Sequence, residues 1–218
     1  MSFEEELSRV LPPEIPHRST LIEKSARHLQ LIAAANEIMN LTRISSPHEA
    51  SVKHILDSVV PWRFFEGARC VLDAGTGAGF PGIPLSIVLP EIRFLLTDST
   101  QKKARFVESV SETLDLPNVE VASERAEFIA LTRRPPIITA RAVAPLDRLI
   151  PLFGKSLAAG SRLLLYKGPD VDAEFEAING SRTMAEILLR YELPSGLGTR
   201  TFVSVSGAPR KQARSKPQ

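Results

Sequence analysis

The chain has 218 residues, 43% hydrophobic and 24% charged, enough for one α/β domain with a modest extra lobe. No apolar run approaches the roughly 18 residues of a membrane span, the acidic start MSFEEELSRV has no signal-peptide core, and one cysteine excludes an intrachain disulfide or cysteine-based zinc site, so a reducing cytoplasm is expected. The formal charge of +2 lies in the tail: without Arg210, Lys211, Arg214 and Lys216 the 27 basic residues fall to 23 against 25 acidic, and net charge gives little support for nucleic-acid binding.

In chain order, TLIEKSARHLQLIAAANEIMN (Thr20–Asn40) carries a helical apolar pattern, with Ile22, Ala26, Leu29 and Ala33 on one face. Thr20 and Glu23 have the spacing of a capping box that opens it. Ser46, Pro47 and Glu49 supply a cap, a first-turn proline and a third-position acid for a second helix, EASVKHILDSVV, which stops at Pro61. Residues 1–65 therefore read as an all-helical lobe. From Arg69 strands and helices alternate. CVLDA (Cys70–Ala74), IRFLLTD (Ile92–Asp98), VEVA (Val119–Ala122), IITARAV (Ile137–Val143) and SRLLLYK (Ser161–Lys167) are strands, separated by helical segments of which QKKARFVESVSETL (Gln101–Leu114) is the clearest. Such repeats build a parallel sheet covered on both faces. After a polar helix, DVDAEFEAI, two apolar strands flank a Gly-containing turn and read as an antiparallel hairpin. The domain is expected over 66–206, and 207–218 as a basic, disordered tail. Five parallel strands closed by a hairpin are the expected shape of a Rossmann-like class I S-adenosylmethionine methyltransferase, with a mostly parallel seven-stranded sheet; a dehydrogenase more often adds a sixth parallel strand.

The loop after the first strand, LDAGTGAGFPG (Leu72–Gly82), contains G-x-G-x-x-G from Gly77 to Gly82 with Asp98 further on, the spacing of a dinucleotide-binding turn. Three readings compete: a dinucleotide loop, a methyltransferase loop and an ordinary strand-to-helix turn. Asp73 directly before the loop repels a pyrophosphate and attracts the cationic amino acid end of S-adenosylmethionine, and Asp73, Gly75, Gly77 and Gly79 fit D-x-G-x-G-x-G. Asp98 can accept from ribose hydroxyls under either ligand reading and does not discriminate.

DAGTGAGFPGIPLSIVLP, with NLTRI (Asn40–Ile44), KHILDS (Lys53–Ser58), LTDSTQKKARFV, SERAEF, TARAVAPL and the YKG of Tyr166–Gly168 in order, strongly resembles the bacterial 16S ribosomal RNA guanine-N7 methyltransferase G family, also called glucose-inhibited division protein B. The resemblance runs from roughly Asn36 to Val205. It implies that S-adenosylmethionine is the cofactor and 16S rRNA, naked or in a small-subunit particle, the partner; a monomer is expected because no coiled-coil segment demands a second copy. It places Gly75 and the Phe80 backbone at the methionine end, Asp98 on the ribose, Ala126 and Glu127 beside the adenine, and Arg141 at the edge of the cofactor and substrate site. Thr97, Thr100 and Ala78 depart from the family pattern without removing a ligand side chain.

His54 and Asp57, three apart on one helix face, either fix the helical lobe against the sheet or contact substrate; no histidine cluster supports a metal. Cys70 is expected to be a buried small hydrophobe, so no cysteine is placed for attack on a pyrimidine C5, and the sequence holds no Asn-Pro-Pro-Tyr-like motif of exocyclic-amine enzymes. Guanine N7 needs neither, because its lone pair lies in the ring plane and no proton must leave, so no residue is assigned as catalytic. Arg141 and Lys167, at strand ends, are candidates to grip RNA phosphate or the guanine edge, against a solvated lysine at 167. With Lys53, Lys102, Lys103, Arg105, Arg133, Arg134 and the tail they read either as a phosphate track, which would make binding salt-sensitive, or as ordinary surface charge. Rival readings are another acceptor for the same cofactor, or a non-catalytic RNA-binding module on this fold.

Overall fold

The computed structural model describes residues 2–39, 41, 44, 46–180 and 182–208. The tail beyond Ala208, and NLTRI apart from Leu41 and Ile44, lie outside the described residues. Seven strands form one sheet in the order β3-β2-β1-β4-β5-β7-β6. They are β1 (Cys70–Ala74), β2 (Arg93–Thr97), β3 (Val119–Ala122), β4 (Ile137–Arg141), β5 (Arg162–Lys167), β6 (Thr183–Glu192) and β7 (Thr199–Gly207). The first five run parallel, and β7 enters antiparallel between β5 and β6. The expected hairpin is this β6–β7 pair, and the expected class I architecture is the one observed.

Strand periodicity assigns the two cores. Side chains alternate across a sheet, so Val71, Phe94, Leu96, Leu164, Tyr166 and Phe202 face one side and Leu72, Leu95, Ile138, Leu163, Leu165 and Val203 the other. The first side is covered by α1 (Phe3–Val10), α2 (Arg18–Met39), α3 (Pro47–Ala50), α4 (Asp57–Val59), α5 (Gly82–Val88) and α6 (Gln101–Thr113); the second by α7 (Ala126–Arg133), α8 (Leu146–Ala158) and α9 (Val171–Ala177). Covered on both faces, the central strands become continuous apolar runs.

Three local expectations change. Helix α2 begins at Arg18, so Thr20 sits inside its first turn and does not cap it; Arg18 donates to the carbonyls of Leu11 and Ser8 at 3.1 and 2.5 Å, a tertiary contact that starts the helix early. A capping box does form, at Ser2 and Glu5 of α1. Ser46 caps α3 as expected, accepting from the Glu49 N–H at 3.1 Å, but the segment then widens into a π-helix over Ser51–Leu56 before α4. Cys70 opens β1 only half-buried, because it stands at the outer end of the strand.

Candidate active site

The site lies where the parallel strands end. Glycines let the loop after β1 turn tightly: Gly75, Gly77 and Gly79 have φ of +72°, +61° and +100°, a region costly for side-chain-bearing residues. The N–H groups of Gly75 and Thr76 both donate to the Thr97 carbonyl at 2.9 Å, tying the loop to β2. Asp73 is fully buried beneath it. Its Oδ2 accepts from the Thr76 hydroxyl at 2.7 Å and the Gly82 N–H at 2.9 Å, while Oδ1 is buried without a partner. Burial raises its pKa to about 6, against the lowering effect of those two hydrogen bonds. Asp98 accepts from the Gly77 N–H at 3.2 Å and the Thr100 N–H at 2.8 Å, which fixes its carboxylate in the wall of a pocket of about 130 Å3. Gly75, Ser99, Ala126, Glu127 and Phe153 complete much of that pocket's wall. Glu127 is half-buried there, in the first turn of α7.

These residues fit S-adenosylmethionine. Space is open where a Cβ on Gly77 would stand, the Asp98 carboxylate faces the pocket, and the unpartnered Asp73 oxygen leaves negative charge beneath the loop that a bound cation offsets.

A larger cavity, about 590 Å3, adjoins the first and shares Val143 and Leu149 with it. Between the two, Ala142 adopts φ +55° as β4 ends, a strained conformation of the kind that collects at functional sites. A Cβ on Gly75 would come within 3.0 Å of Val143 Cγ2, so this loop packs on the glycine turn. Lys53, His54, Asp57, Arg141, Lys167 and Arg200 all line the larger cavity.

Their bonds define what each can do. Arg141 NH1 donates to the Lys53 carbonyl at 2.9 Å and lies 3.4 Å from Asp57 Oδ2 and 3.3 Å from the Ser58 hydroxyl. Asp57 is buried; it also accepts from Tyr191 at 2.8 Å and from Arg200 Nε at 3.3 Å. The π-helix supplies this arrangement: its Lys53 carbonyl is taken by Arg141, and its His54 carbonyl by the Ser58 hydroxyl at 2.5 Å. A π-turn of this kind frequently marks a functional site. Lys53 itself pairs with Glu49 at 2.5 Å. Lys167 is not a solvated strand-end lysine: it is 8% exposed and donates to Glu174 at 2.7 Å and to the Ala144 carbonyl at 2.8 Å, while Glu174 also accepts from the Leu146 N–H at 2.7 Å. It braces the loop between the two pockets.

Phe80 sits between the rings of His28 and His54, at 4.8 and 4.6 Å, with the Arg141 guanidinium 5.3 Å from its centroid. Burial drives His28 down to about 4, and burial with the charge of Arg141 drives His54 to about 3, so both rings are neutral near pH 7. Burial and the Asp57 charge raise the Tyr191 phenol above its ordinary value, which keeps it a donor. Sequence reasoning missed Arg200, Tyr191, Ser58 and Val143. Only Arg200 left a signal, as a charged residue opening the apolar strand RTFVSVS.

The strand order, the glycine turn after β1 and the carboxylate just beyond β2 define a class I methyltransferase that uses S-adenosylmethionine. Residues 21–194 match the model of one family, GidB, described as rRNA small subunit methyltransferase G. The chain belongs to that family. It is 57% identical over 209 residues to the "Ribosomal RNA small subunit methyltransferase G" of Solibacter usitatus (strain Ellin6076), covering 94% of this chain and 100% of that protein. It is 38% identical over 194 residues to the protein of the same name from Carboxydothermus hydrogenoformans, covering 84% and 81%. Among solved structures it is similar to an O-methyltransferase from Bacillus cereus in complex with SAH (TM-score 0.57, 20% identity, 94% of this chain and 96% of that one). It is also similar to the O-methyltransferase TomG from Streptomyces achromogenes (TM-score 0.56, 17% identity, 86% and 90%); at these identities the likeness concerns the fold.

Proposed function

We propose that this protein transfers the methyl group of S-adenosylmethionine to N7 of one guanine in 16S rRNA, acting as a cytoplasmic monomer on RNA that is naked or within a small-subunit particle. The observation that carries the choice of atom is the chemistry of the larger cavity, where no described group is poised as a base. Asp57 is committed to Arg141, Arg200 and Tyr191. His54 has a pKa near 3 and attracts a proton only weakly. Lys167 is paired with Glu174. An exocyclic amine must shed a proton as it is alkylated, whereas N7 offers an in-plane lone pair.

S-adenosylmethionine supplies an electrophilic sulfonium methyl group. Held by Asp98 and the glycine turn, it would give that methyl to the N7 lone pair and leave as a neutral thioether, the positive charge passing to the guanine ring. The protein's task is proximity and orientation. Asp98 and the glycine turn hold the cofactor side, the Val143 loop separates the pockets, and Arg141 with Arg200 supplies positive charge for the RNA. A guanine within a helix must be unpaired or turned out to enter.

The test is transfer of labelled methyl to rRNA, and to small-subunit particles, from cells lacking the endogenous enzyme, followed by mapping of 7-methylguanine. One labelled guanine in 16S rRNA is expected. Asp98→Ala, which removes a charged acceptor, should weaken cofactor binding by about tenfold or more. Arg141→Ala should lower methyl transfer more than it lowers cofactor affinity. Label on another base or atom would overturn the proposal.

A further inference from the structure

We infer that Asp57 is a positioning residue for methyl transfer: its buried carboxylate gathers the guanidinium groups of Arg141 and Arg200 on one oxygen and directs them into the floor of the larger cavity, where they meet an oxygen of the RNA. The inference rests on the function proposed above.

Three separate parts of the chain converge here. Asp57 follows the π-helix, Arg141 ends β4 and Arg200 lies near the start of β7. Both arginines approach Asp57 Oδ2, at 3.4 and 3.3 Å, and Tyr191 from β6 fixes Oδ1 at 2.8 Å. Tyr166 anchors the same turn through the Ser58 carbonyl at 2.6 Å. Two guanidinium groups repel each other, and a shared anion is what holds them together. One carboxylate against two guanidiniums leaves a net positive charge on the cavity wall. The acid is only 2% exposed, while the Arg141 and Arg200 side chains are 15% and 24% exposed, so the anion is hidden and the cations reach the cavity. Their described hydrogen bonds use NH1 of Arg141 and Nε and NH1 of Arg200. Among the described residues the NH2 group of each meets no acceptor, and planar guanidiniums suit both phosphate oxygens and the guanine edge. Asp57 backs the larger cavity with its side chain only 2% exposed and is not part of the cofactor pocket's wall, so its effect passes through the arginines.

The test is a double-mutant cycle of Asp57→Asn with Arg141→Lys, read by steady-state kinetics on rRNA and by calorimetry of cofactor binding. Asp57→Asn is expected to lower kcat/KM for RNA by about tenfold or more, with cofactor affinity held within about twofold, and the double variant to be little worse than the poorer single one. Losses that multiply, or cofactor affinity that falls in step with activity, would overturn the inference. If Asp57→Asn binds no cofactor because it does not fold, Tyr191→Phe takes its place in the cycle. That variant keeps the carboxylate but frees one oxygen; coupling with Arg141→Lys supports the inference and multiplying losses refute it. Salt titration separates the two oxygen sources: loss of a phosphate contact flattens the slope of log K against log salt by about 0.7, whereas loss of a base contact lowers kcat at constant slope. The wild-type product is mapped in the same assay, so an error in the acceptor atom is seen independently of the cycle.

Discussion

Asp73, next to the last residue of β1, is a fully buried carboxylate with one oxygen unpartnered. Burial raises its pKa from 3.8 to about 6, so in that interval the folded protein binds this proton more tightly than the unfolded chain does. The contribution of Asp73 to stability therefore declines as pH rises from about 4 to about 6, and above that its charge costs roughly 3 kcal/mol. The same charge serves a cationic ligand, so cofactor affinity should fall as pH drops below about 6. In Asp73→Asn both dependences should flatten, as calorimetry between pH 4 and 8 would show. At this scale the sequence was partly legible. Gly75 and Asp98 follow from the glycine motif and the strand ends, Ala126 and Glu127 only from the family resemblance, and all four line one pocket. Asp57 and His54 stayed between two roles, because spacing on a helix tells which residues are neighbours but not what they face.

Element by element, the strands were legible to within a residue or two, since an apolar run bounded by loop residues has few alternatives. The π-turn at Ser51–Leu56 was not. Nothing local distinguishes it from α-helix; it persists because Arg141 and Ser58 take the carbonyls of Lys53 and His54. The start of α5 shows the reverse dependence, of an element on one small side chain. A Cβ at Gly82 would lie 2.7 Å from Asp73 Oδ2 and 2.8 Å from Leu96 Cγ. Gly82→Ala should therefore destabilise the protein by about 1–3 kcal/mol and lower Tm by about 5 °C in a thermal melt. Because the Gly82 N–H also braces Asp73, cofactor affinity should fall with it.

For the whole molecule, the helical lobe and the sheet bury their side chains in a common core. Leu7, Leu21, Leu29, Ile55 and Phe65 belong to the same apolar cluster as Phe94, Tyr166 and Phe202. We expect residues 1–65 and 66–206 to unfold as one unit, giving a single transition by scanning calorimetry, and a chain without the helical lobe to lose that cooperative transition. Two separate transitions would instead mark the lobe as independent. By itself the sequence determined the class of fold, the sheet with its closing hairpin, and the family, through ordered motifs whose spacing is local and whose periodicity reports burial. Only the tertiary structure decided which cations share Asp57, why Lys167 is a brace, and where the two pockets meet. Those are contacts between residues up to 143 positions apart, set by strand order and packing, and no pattern within one segment encodes them.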